Sequence, residues 1–165
     1  MIEVTQTLHG DLPEGVQGNC FAACLASILH VDIETVPNDH TRKWRSVVNT
    51  WLRQYGLAMV QASNDFDELC RDDDITDCWC IATGHTDRHP TVRHACVAKS
   101  GVIVWDPHPS RSGLVSIDGY VLLLVLDASR YAQHVSEISN RTKYTPTHEH
   151  TPIQENDHDT PCIQI

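Results

Sequence analysis

Apolar positions repeat with two different periods along this chain, helical before residue 56 and alternating after it. Phe21, Cys24, Leu25, Ile28 and Leu29 fall on one side of a helix from Cys20 to about His30, entered from the turn Gln17-Gly18-Asn19. Val31-Asp32-Ile33 and a stop at Pro37 follow. Trp44, Val47, Val48, Trp51, Leu52 and Tyr55 then make a second amphipathic face, with Thr41 placed to cap it and Gly56 where a terminating glycine belongs. Beyond Gly56 the alternation predicts strands over 57–61, 78–83, 93–99, 102–106 and 120–126, with Ser100-Gly101 as a tight hairpin turn. The first residues, 2–7, read as extended, and 10–18 as a Gly/Pro loop. Helices first and antiparallel strands afterwards predict an α+β fold, with the Cys20 helix packed on the sheet. No internal repeat is present. Residues 1–132 are expected to form one domain, and the polar stretch 133–165 a mobile tail.

Composition narrows the function classes. A chain of 165 residues with 41% apolar content can build one sizeable core. Its 22 acidic residues against 12 basic give a formal charge of -10, which repels phosphate backbones and anionic lipid surfaces. Nucleic acid and membrane are therefore not expected partners. No stretch approaches the ~20 apolar residues of a membrane span, and the start Met-Ile-Glu-Val-Thr-Gln lacks a signal-peptide layout, so a cytoplasmic setting is expected. The acidic run 65–77 reads as a solvated connection, because a calcium loop would need a central glycine that it lacks.

Seven cysteines, an odd number without dense spacing, read as mostly free thiols. Cys78, Cys80, His85 and His89 offer four zinc-type ligands, but Cys78 and Cys80 flank Trp79 in a strand and read as small apolar side chains. Neither metal nor cofactor is expected. Cys20 is different, because a thiol at a helix N-terminus faces unpaired N-H groups and the positive end of the helix dipole. Those N-H groups can also hold an oxyanion, which makes Cys20 a candidate nucleophile. Such a nucleophile needs a base, and the base needs a third group to orient it. His94 heads a strand of small apolar residues and Asp106 ends the next one, so these three form the candidate catalytic set.

Gly18-Asn19-Cys20-Phe21-Ala22-Ala23-Cys24-Leu25-Ala26-Ser27-Ile28-Leu29, Val36-Pro37, His94-Ala95-Cys96-Val97 and Trp105-Asp106-Pro107-His108-Pro109-Ser110 together resemble small bacterial and phage proteins of the papain-like cysteine peptidase fold. Their order is also similar to that in the peptidase domains of bacteriocin-processing exporters, where a His strand precedes a strand ending in Asp-Pro. The resemblance covers roughly residues 2–126. It implies Cys20 as nucleophile, His94 as general base and then acid, and Asp106 as orienter. Papain-like enzymes complete the oxyanion hole with an upstream Gln, and here Glu14 stands at that spacing; Gln17 and Gln6 are the candidates to supply the amide instead. Gln17-Gly18-Asn19-Cys20 also looks like the nucleophile turn of ovarian-tumour-type deubiquitinases, whose base usually lies nearer the chain end.

The expected activity is hydrolysis of an amide or isopeptide bond in a protein or peptide substrate, through an acyl-enzyme thioester. Deamidation or acyl transfer by the same triad is the alternative, as is a papain-fold binding module with a disused site. His108 and Ser110, with Arg111, follow Asp106 in a Pro-bounded loop and are candidates for substrate contact. The triad also makes a geometric demand. A three-residue loop Lys99-Ser100-Gly101, with Gly101 left-handed, would bring His94 opposite Asp106, a ring nitrogen within about 3.5 Å of the carboxylate and the other turned to Cys20. A strict two-residue loop at Ser100-Gly101 would place them on opposite faces.

Overall fold

The stripe of apolar residues after Asn19 folds into α1 (Cys20–Leu29), in which the small residues Ala22, Ala23 and Ala26 are buried and let the helix lie close on the sheet. The structure is a computed structural model that describes residues 1–10, 17–73 and 75–143. α1 ends at His30, in the left-handed region with φ 54°. The second amphipathic face forms α2 (Trp44–Leu52), prolonged by a 3-10 turn Arg53–Tyr55 and ended by Gly56 at φ 72°, as its pattern predicts.

Five strands follow, β1 (Leu57–Ala62), β2 (Trp79–Thr86), β3 (His89–Lys99), β4 (Val102–Trp105) and β5 (Ser116–Val125). They form one antiparallel sheet in the order β1-β5-β2-β3-β4. This is the α+β arrangement expected, with α1 lying against β3 and β2 and α2 against β1. Alternation along the strands divides the core in two. Ile81, Val97 and Val121 pack with Leu25, Leu52 and Leu57 under the two helices. Cys80, Ala82, Ala98 and Tyr120 form the second cluster, with Phe66 and Cys70.

Phe66 and Cys70 belong to α3 (Phe66–Asp72), a short helix inside the acidic run read from sequence as a solvated connection. Its charged residues do face solvent, but two apolar positions four residues apart anchor it. Phe66 meets Tyr120 with ring centroids 5.4 Å apart, and the Tyr120 hydroxyl donates to the Gly101 carbonyl at 2.9 Å. Short helices with so few apolar residues leave little periodic signal.

The β3–β4 hairpin corrects the expected three-residue loop. Lys99 pairs with Val102 and Ala98 with Ile103, so the turn holds only Ser100 and Gly101, both left-handed at φ 48° and 82°. Such a turn matches the strand twist and favours glycine at its second position. Close approach to α3 favours it again, since a Cβ at Gly101 would lie 2.4 Å from the Asp67 Cβ. Further along, Val97 pairs with Trp105, leaving Val104 as an extra residue in β4. That bulge changes the parity of the strand and brings Asp106 to the same side as His94, as the wider loop would have done. β3 is also longer than expected, so His94 sits in mid-strand opposite Gly84.

The expected boundary between 132 and 133 falls inside α4 (Ala128–Lys143), so the first part of the expected tail is helical. His134 of α4 donates from Nε2 to the Leu29 carbonyl at 2.9 Å, and its ring lies 4.5 Å from that of Tyr55. Residues 144–165 of that tail lie outside the described residues. Truncation after Ala132 is accordingly expected to cost about 1–2 kcal/mol, for a lost hydrogen bond to a helix end and lost ring packing. Thermal denaturation would show this as a midpoint lower by roughly 2–8 °C; an unchanged midpoint would mean that the helix contributes nothing.

Candidate active site

Asn19 positions the start of α1 without capping it. Its side chain makes no helix-cap bond, and instead accepts from the Thr7 and Leu8 N-H groups at 3.0 and 2.9 Å and donates to Thr7 Oγ1 at 2.9 Å. The N-terminal segment is thereby tied to the helix start, aided by Gln6 N to Pro107 O at 2.9 Å and Val4 N to Ser27 Oγ at 3.1 Å. An uncapped first turn keeps its N-H groups free for a ligand. Cys20 opens that turn, half-buried, at the wall of a cleft of about 810 Å³.

His94 reaches the same place from β3. It is 5% exposed, and its Nε2 lies 2.6 Å from Oδ1 of the buried Asp106. Asp106 in turn accepts from the His108 N-H at 2.8 Å (Oδ1) and the Gly113 N-H at 2.8 Å (Oδ2), while Arg88 Nη1 lies 3.6 Å from Oδ2. Burial opposes the charge on Asp106, but the His94 bond and the two backbone donors prevail and hold the carboxyl well below its usual range. Burial likewise opposes the imidazolium. The Asp106 bond, together with the neighbouring Cys20 and Cys96 sulfurs, outweighs it and pushes His94 up to about 11. His94 is therefore a buried cation at neutral pH, paired with a buried anion.

Cys96 is the residue of this group that sequence reasoning passed over. It lies two positions after His94, hence on the same strand face, which is the signal that would have found it. His94, Cys96 and Asp106 bring a nitrogen, a sulfur and an oxygen within 4.8 Å of one another, all buried. Among the described residues this is the one group of three or more potential metal ligands so gathered, and the Cys78, Cys80, His85, His89 set is not. Burial pushes the Cys96 thiol up, so it serves as a neutral neighbour of the imidazole. Arg88, at the β2–β3 turn, carries no such signal; only the fold brings it to Asp106.

The oxyanion candidates separate. Gln17 lines the large cleft. Gln6 lines a second, smaller pocket of about 60 Å³ that also borders Cys20 and His94. However, its Nε2 already donates to the Leu8 carbonyl at 2.9 Å and lies 3.2 Å from His9 Nδ1, while its Oε1 is buried without a partner. Glu14 lies outside the described residues. Of the loop candidates, His108 borders the small pocket, with its Nδ1 2.8 Å from Ser110 Oγ. Ser110 lines neither cavity and lies 3.2 Å from Arg88 Nη1. Arg111 stacks on Trp105 at 3.7 Å. Compared with known proteins, the chain matches no family model, no curated protein and no solved structure.

Proposed function

We propose that this chain is a papain-like cysteine hydrolase that cleaves an amide or isopeptide bond in a protein or peptide. The observation that carries the reading is the buried His94–Asp106 pair at 2.6 Å, whose His94 borders the same two cavities as the thiol at the uncapped start of α1. With Nε2 held by Asp106, Nδ1 is the nitrogen left to serve Cys20.

The Cys20 thiolate, its proton carried by His94, attacks the carbonyl carbon, and the negative charge that forms on the oxygen is received by the Cys20 N-H and the Gln17 amide. Collapse breaks the C-N bond, and His94 gives its proton to the departing amine. A thioester remains on Cys20. Water then attacks it, His94 takes the proton, and the acid is released. Asp106 holds the ring in place throughout. If the leaving group is ammonia the reaction is a deamidation, and if an amine replaces water it is an acyl transfer.

A cleft bounded by Phe21, Trp44 and Met59 suits a substrate with an apolar side chain next to the reacting carbonyl. The six described cysteines are free thiols, in keeping with the reducing cytoplasm proposed for the chain. No helix among the described residues is long and apolar enough to cross a membrane.

Alkylation with iodoacetamide near neutral pH, followed by peptide mapping, tests the reading without a known substrate. Burial raises the pKa of Cys24, Cys70, Cys78, Cys80 and Cys96, which suppresses their thiolates. Cys20 is expected to be labelled first. Labelling of Cys20 no faster than of Cys24 or Cys70 would rule out an activated nucleophile and favour a binding module.

A further inference from the structure

The small pocket beside Cys20 and His94 differs in character from the large cleft. The chain has 22 acidic residues to 12 basic, yet among the described residues lining this pocket none is Asp or Glu. Arg88, His89, Arg93, His94 and His108 all border it. The Arg88 side chain is 14% exposed, so its charge is poorly screened by water. Guanidinium groups carry five N-H donors in a planar fork. The described bonds of the Arg88 guanidinium all run through Nη1, to Ser110, Ser112 and Asp106, and those of the Arg93 guanidinium through Nη2, to Asp118. Donors on both forks therefore remain for a ligand.

Gln6 also lines the pocket. Guanidinium donors match a carboxylate, as at the end of a peptide or in an amino-acid leaving group.

We infer that the pocket formed by Arg88, Arg93, His89, His108 and Gln6 is a subsite for a carboxylate carried by the substrate next to the bond that is cleaved. This inference rests on Cys20 being the nucleophile and narrows its substrates to anionic ones. The carboxylate sits in the small pocket while the apolar part of the substrate occupies the large cleft.

Competition between iodoacetate and iodoacetamide for Cys20 tests the inference. In both reactions the thiolate displaces iodide from a CH₂ group, and the reagents differ in carrying a carboxylate or a neutral amide. The rate ratio of iodoacetate to iodoacetamide at Cys20, divided by the same ratio for 2-mercaptoethanol, a thiol with no other charge, cancels intrinsic reactivity. At low ionic strength it is expected to exceed one by about tenfold, and to fall as salt is added. Arg93→Gln and Arg88→Gln should each lower it at least about threefold, whereas Arg45→Gln, in the large cleft only, should not. Arg93 is largely exposed, so its variant remains informative even if Arg88→Gln does not fold. A ratio equal to that of 2-mercaptoethanol, or one that neither arginine variant changes, overturns the carboxylate subsite while selective labelling by iodoacetamide leaves the nucleophile standing. Loss of Cys20 selectivity with both reagents overturns both.

Discussion

Asp106→Ala is expected to destabilise the fold by about 3–5 kcal/mol, or roughly 6–20 °C in the midpoint of thermal unfolding. The carboxylate is 6% exposed and answers four groups, the His94 ring, the His108 and Gly113 N-H groups and the Arg88 guanidinium. Removing it strands a buried cation and two backbone donors. The loss also has a defined pH profile. His94, raised to about 11, holds its proton more tightly folded than unfolded, so its contribution is complete below about pH 6.5 and fades as pH rises toward 11. Asp106 is depressed, so its contribution is complete above about pH 4 and fades as pH falls further. The gap between the native protein and the variant should therefore be widest between about pH 4 and 6.5 and narrow on both sides. A gap below about 1 kcal/mol across that window would mean that the pair is not a buried ion pair.

If the chain is the cysteine hydrolase proposed, turnover of its amide or isopeptide substrate should fall at least ~10⁴-fold in Cys20→Ala and in His94→Ala, because one would remove the atom that attacks and the other the group that moves the proton. Asp106→Asn should retain more, since the amide preserves shape and one acceptor oxygen and orientation contributes less than nucleophile or base. Its ring partner would change as well. Without the carboxylate, burial acts unopposed by its strongest counterweight and His94 loses its proton at lower pH. Steady-state rates on one substrate across the three variants would check the order. Equal rates for the native protein and Cys20→Ala would exclude the thioester.

The parts of this site that could be read in advance are those marked by local chemistry. Gly18-Asn19 followed by an apolar stripe places Cys20 at a helix start, and the Ser100-Gly101 turn sets His94 and Asp106 on neighbouring strands. Thr41 misled in one respect, since α2 begins after Lys43 with no side-chain cap and the Thr41 hydroxyl accepts from the Lys43 N-H instead. The expected loop was wrong in length, although the side-chain parity it served was right. Two-residue and three-residue turns share the same residues, and the bulge at Val104 depends on how β4 meets β3 and α3 rather than on Val104 itself.

Periodicity by itself determined the α+β order, the span of α1 and α2 and the five strands, because burial of one face imposes 3.6- and 2-residue repeats whatever the partner. The chemistry of a thiol at a helix start, and the base and orienter it would need, brought Cys20, His94 and Asp106 forward as a candidate set. The tertiary structure alone decided which atoms meet. Arg88 reaches Asp106 from a turn eighteen residues away in sequence; Gln6 spends its nitrogen on Leu8 and leaves its oxygen facing no donor. Phe66 and Cys70 make a helix of an acidic stretch because Tyr120 and Cys80 wait beneath them. His134 ties the described start of the expected tail to the end of α1. Each of these depends on a partner distant along the chain, and contacts of that kind leave no local period to read.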